Sequence, residues 1–141
     1  IMRDHELVER VQERGGFDSR DEAVVAIRAT LSSLGECLYR TERRHLASQL
    51  PKAAKEFLHE HVDRGMTRQE SACLTLQEFY DRVGARADVT RSRAIKRAKA
   101  VAAVLQETLP EGEWEHIISE MPKEYHELLT GASPGEAAPS A

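Results

Sequence analysis

Displaced by 71 residues against itself, the chain matches at a series of polar and proline positions. Glu42, His45, Ser48, Pro51, Lys52 and Glu56 fall on Glu113, His116, Ser119, Pro122, Lys123 and Glu127. At the same displacement the apolar series Val24, Ile27, Leu31, Leu34, Leu38 falls on Ile95, Ala98, Ala102, Leu105, Leu109. Further upstream the displacement is 72, and Leu7, Val8, Val11 and Phe17 pair with Phe79, Tyr80, Val83 and Val89. One residue is therefore missing from the second copy near 89–91, a length change that a surface loop tolerates. Two unrelated amphipathic segments would agree in their apolar positions only. Shared polar residues around a shared proline indicate a duplicated unit.

The unit is helical. Its apolar residues recur in steps of three and four, and nowhere does the alternation of a half-buried strand persist. The spacing predicts helices over about 21–39, 52–62, 76–85 and 123–130. Ser19 with Glu22, and Thr75 with Glu78, carry the capping-box pattern, in which a hydroxyl and a carboxylate satisfy free N–H groups at a helix start. Leu74 and Phe79 add a hydrophobic staple to the second box. Pro51 and Pro122 each follow an apolar residue and precede a new helical pattern, which places a corner between two helices at each. Gly15-Gly16 reads as a helix stop and Gly131 as a C-terminal cap.

The expectation is an all-α fold of about eight helices, a tandem pseudo-symmetric repeat of a four-helix unit packed as one domain over 1–131. Repeat 1 covers about 5–62, a linker covers 63–73, repeat 2 covers about 76–131, and 132–141 is a loose tail. With 141 residues, such a domain buries enough surface to need neither disulfide staples nor a structural metal.

The segment Ala47-Ser-Gln-Leu-Pro51, with Leu31 and Leu34 upstream, Phe57-Leu58 downstream and the echo Met121-Pro-Lys-Glu-Tyr125, resembles the bacterial and archaeal family called domain of unknown function 2267. The likeness covers nearly the whole chain except the tail. It implies an all-helical, cytosolic prokaryotic protein, and it carries no activity, substrate or catalytic residues to transfer. The family's long helix tends to close on Arg-Leu, whereas this chain has Cys37-Leu38 and Thr108-Leu109.

Chemistry-bearing spacings are few. Glu42 with His45 and Glu113 with His116 are repeat-related Glu-x-x-His pairs, the ligand type of dinuclear metal helical bundles. Glu36 and Glu107 would complete such a set. Against a metal centre, Leu46 and Ile117 hold the central apolar positions, and Glu42 and Glu113 are explained by the helix dipole at a first turn. Glu56 with His59 repeats the spacing, and His59 with His61 lie on different helix faces. Phosphate-binding glycine loops and serine nucleophile elbows are absent. Cys37 and Cys73 form no ligand-spaced cluster, which excludes a disulfide-rich scaffold and a zinc ribbon and suits a reducing cytosol. Cys37 aligns with Thr108 beside the apolar stripe and is expected to be buried. No catalytic residue, metal site or cofactor is assigned.

Charge is distributed unevenly. Residues 82–99 hold seven basic residues and one acidic, whereas 100–141 hold eight Glu and one Lys. Arg93, Lys96, Arg97 and Lys99 stand off the apolar stripe and form an expected basic face. Its partner is the chain's own acidic residues, another protein or copy, or a phosphate-rich molecule. The apolar run at 101–105 is far too short to span a membrane. The reading is a cytoplasmic, non-catalytic protein-interaction or adaptor module, through a protein partner or self-association. The alternatives are nucleic-acid or polyanion binding through 82–99, and a carboxylate/His metal protein.

Overall fold

The computed structural model describes residues 2–62 and 73–130, for 129 and 130 the backbone only. The expected C-terminal cap Gly131, the tail 132–141 and residues 63–72 of the expected linker lie outside the described residues. Within them the chain is all-helical. Eight α-helices run in the order α1 (Asp4–Gly15), α2 (Arg20–Cys37), α3 (Arg40–Ser48), α4 (Lys52–His59), α5 (Leu76–Ala87), α6 (Arg91–Thr108), α7 (Glu113–Ser119) and α8 (His126–Thr130). A 3-10 turn at Lys123–Tyr125 leads into α8.

The starts follow the capping chemistry. Thr75 accepts from the Glu78 N–H at 3.2 Å while the Thr75 N–H donates to the Glu78 carboxylate at 3.0 Å, a complete box. Ser19 makes half of its box, accepting from the Glu22 N–H at 3.1 Å, because the Glu22 carboxylate turns to Arg97 instead. Both prolines stand at the N-cap of the element that follows, Pro51 before α4 and Pro122 before the 3-10 turn, each with φ near the value its ring imposes. Removing the Thr75 hydroxyl leaves a helix-start donor unmet. Thr75→Ala is expected to lower stability by about 1 kcal/mol in urea titration, and Thr75→Ser to restore most of it.

Gly16 ends α1 in the left-handed region, at φ 65°. Asp88, 72 residues on, ends α5 in the same conformation at φ 58°, one of the few non-glycine types that visits it readily. Local hydrogen bonds recur as well. Ser48 Oγ donates to the His45 carbonyl and Ser119 Oγ to that of His116, both at 2.6 Å.

The 18-residue helices α2 and α6 pack against each other at the centre. Contact then crosses between the halves: α1 packs on α2 and also on α6, and α5 on α6 and also on α2. Leu31 and Leu34 of α2, Phe79 of α5, Val101 and Leu105 of α6 and Trp114 of α7 belong to one hydrophobic cluster. α4 lies so close to α2 at Gly35 that a methyl group there would overlap the Leu58 carbonyl oxygen. Arg43 covers that end of α2, donating to the Gly35 and Leu38 carbonyls at 3.2 and 3.1 Å, a placement the C-terminal dipole favours.

One disulfide joins Cys37, at the last turn of α2, to Cys73, two residues before the α5 cap. Cys37 is buried as expected. No local pattern points to this bond, because a separation of 36 residues has no spacing signature and Cys73 falls in a stretch that reads as linker.

Candidate functional site

The Glu-x-x-His residues meet across the halves as one pair. His45, on the last turn of α3, brings Nε2 to 2.5 Å from the Glu113 carboxylate on the first turn of α7. Glu42 stays in the first turn of α3 and His116 in the last turn of α7. Glu36 faces Arg82 and Arg86, at 3.1 and 2.8 Å, and Glu107 pairs with Arg14. Among the described residues no three His, Cys, Asp or Glu side chains gather as metal ligands. His59 turns Nδ1 to the Lys55 carbonyl of its own helix, at 3.0 Å.

The basic stretch is largely matched from within. Arg82 and Arg86 share Glu36, and Arg86 also donates to the buried hydroxyls of Ser32 and Ser33, each at 3.3 Å. Arg91 clamps Asp81 through two nitrogens at 2.6 Å, which holds the Asp81 carboxyl below its usual range. Arg97 lies 3.5 Å from Glu22 with its guanidinium 5.0 Å over the Phe17 ring. Lys99 is 3.9 Å from Glu127, which also accepts from the Tyr80 hydroxyl. Arg93 and Lys96 are exposed and make no ion pair among the described residues. The expected basic face is thus divided: Arg93 and Lys96 point to solvent, whereas Arg97 and Lys99 are covered over most of their length.

An apolar cleft opens between α1, α2 and α4. Leu7 and Val8 of α1, Val24 and Ile27 of α2, and Ala54 and Phe57 of α4 line a volume of about 320 Å³. Leu7, Ile27 and Ala54 form its buried floor, while Val8, Val24 and Phe57 are half-buried at its walls. The geometry is anchored at both ends. The Asp4 carboxylate accepts from the Ala53 and Ala54 N–H groups at 3.0 and 3.2 Å, capping α4 from α1 and satisfying donors that Pro51 has no side-chain group to meet. At the other end the Arg28 guanidinium stands 5.6 Å over the Phe57 ring and is held by Glu60 in a fork of hydrogen bonds. That contact keeps the Glu60 carboxyl below its usual range. His5 and Arg20 sit at the rim, and Arg20 is exposed with no ion pair among the described residues.

The apolar series that holds Val24 and Ile27 does not by itself show which part of the stripe stays open. The signal that bears on this is the capping of α4 by Asp4, and it is non-local, 49 residues apart. A family model described as an uncharacterized conserved protein, DUF2267, matches residues 4–128. The chain belongs to the DUF2267 family. No curated protein matches it. The DUF2267 match spans every element of the cleft, from Asp4 to Phe57, as well as the basic stretch. Among the described residues of this DUF2267 chain no helix is long and apolar enough to cross a membrane.

Proposed function

We propose that the chain is a non-catalytic protein-interaction module of the cytoplasm, built from a duplicated four-helix unit, and that it engages a partner protein at the cleft between α1, α2 and α4. The observation that carries this reading is the cleft itself: apolar side chains left half-covered beside Arg20, an exposed cation with no ion pair among the described residues. Apolar surface held open on capped, ion-paired helices is what a docking groove for a partner's side chains requires. The Cys37–Cys73 disulfide is the feature least expected of that compartment, where thiols are kept reduced.

The polyanion reading has less support, because five of the seven cations in 82–99 are matched by carboxylates of the same chain. Binding to phosphates would have to rely on Arg93 and Lys96 or break those pairs.

A photo-crosslinking amino acid placed at Val24, and separately at Lys96, distinguishes the two. Irradiation in the producing cells is expected to trap a discrete protein adduct from position 24 that is absent in an Arg20→Glu variant. Adducts with nucleic acid from position 96, and none with protein from position 24, would overturn the proposal.

A further inference from the structure

At four of the positions that line the cleft in the first copy the second carries bulkier residues, while at Ile27 and Phe57 it carries the smaller Ala98 and Leu128. At the displacement of 72, Leu7 and Val8 correspond to Phe79 and Tyr80. At 71, Ala54 corresponds to Tyr125 and Val24 to Ile95. Phe79, Tyr80 and Tyr125 are buried and stack edge to face, with ring centroids 5.5 Å apart for Phe79 and Tyr125 and 5.9 Å for Phe79 and Tyr80. Tyr125 sends its hydroxyl to the Leu74 carbonyl at 2.8 Å. In the first copy the corresponding side chains are a methyl group and two branched aliphatics, and there the space is open.

We infer that the cleft between α1, α2 and α4 receives an aromatic side chain from a partner, presented beside a carboxylate. The inference rests on the docking reading above and names the chemistry of its occupant. The aromatic part follows from the internal template: where the second copy supplies its own phenol rings, the first leaves about 320 Å³ lined by aliphatic groups and the Phe57 ring. A flat ring fills such a slot with little loss of side-chain freedom, and the Phe57 ring gives it an edge-to-face neighbour. The carboxylate follows from charge. Arg20 stands on the rim without an ion pair among the described residues, and the one rim carboxylate, Asp4, is already occupied by two backbone donors of α4. A partner cation would meet the charge of Arg20, whereas a partner acid would pair with it.

The probes are N-acetyl-tyrosinamide and N-acetyl-leucinamide, titrated into isotope-labelled full chain and followed by NMR. The tyrosine probe is expected to shift the methyl signals of Val8, Val24 and Ile27 with a dissociation constant on the order of 1 mM, about 5-fold tighter than the leucine probe. An acidic dipeptide, N-acetyl-Tyr-Glu-amide, is expected to bind about 3-fold tighter again and to lose that gain in Arg20→Gln. Ala54→Tyr installs the ring that the second copy carries, so it is expected to abolish probe binding while keeping the thermal midpoint of the parent. Val8→Tyr provides the same reading where Ala54→Tyr does not fold. Equal binding of both probes would overturn the aromatic inference while leaving the docking reading to its crosslinking test. No shift with either probe, or unfolding of both filling variants, would also overturn it.

Discussion

Reduction of the Cys37–Cys73 disulfide is expected to lower the thermal midpoint of the chain by about 10 °C. The bond closes a loop of 36 residues that carries α3 and α4, and it ties the end of α2 to the entry of α5. Closing a loop of that length removes chain entropy from the unfolded state worth about 2–4 kcal/mol. In a chain of this size each kcal/mol shifts the midpoint by about 3 °C. The effect also has a local component. Cys37 is buried at the last turn of α2, next to the Gly35 and Leu38 carbonyls that Arg43 covers, and Thr75 caps α5 two residues beyond Cys73. Calorimetry with and without a thiol reductant measures the shift, and the Cys37→Ser, Cys73→Ser double variant is expected to melt at the reduced midpoint and not respond to reductant. A parent chain whose midpoint ignores reductant would show that the bond adds nothing to the folded state. The result also bears on function, because the closed loop contains α4 and hence one wall of the cleft.

Features of the fold that depend on neighbours in sequence were legible. The helix starts at Ser19 and Thr75, the stop at Gly16 and the corners at Pro51 and Pro122 each follow from side chains within a turn of the feature they produce. Helix content follows from the apolar periodicity, and the family resemblance from the segment around Pro51 and its echo around Pro122. Pairings set by tertiary packing were not legible. Arg97 stands off the apolar stripe of α6, which by itself predicts an exposed basic face. In the fold that flank meets Phe17 and Glu22 of the first half, so the guanidinium is largely covered. Lys99 goes to Glu127 for the same reason. In sequence His45 and Glu113 belong to separate Glu-x-x-His pairs, and the structure joins one residue from each across 68 positions. Asp4 gives no local sign that it caps α4, since its own helix start already accounts for an acidic residue there.

Raising the pH is expected to unfold the chain cooperatively between about pH 11 and 12, with Tyr80 and Tyr125 ionising in the same step as the helices are lost. Both side chains are fully buried. Burial pushes the Tyr80 hydroxyl far above the usual phenol range, and its hydrogen bond to the Glu127 carboxylate pushes it further. Burial does the same for Tyr125, with the charges of Glu124 and Glu78 adding to it. The direction of the linkage follows from the unfolded chain, where a phenol loses its proton near pH 10. Below that value both states hold the proton and the full stability is present. Above it the unfolded state releases protons that the folded state retains, so stability falls by about 1.4 kcal/mol per pH unit for each tyrosine. Two such groups remove about 5 kcal/mol by pH 12, which is comparable with the total stability of an ordinary domain. Phenolate absorbance and helical circular dichroism, recorded together against pH, test the coupling. Two phenols that ionise near pH 10 while the helical signal persists would refute it. Tyr80→Phe isolates one contribution: it removes one of the two linked protons and leaves Glu127 to Lys99, so the fall in stability above pH 10 is expected to halve and the transition to move to higher pH.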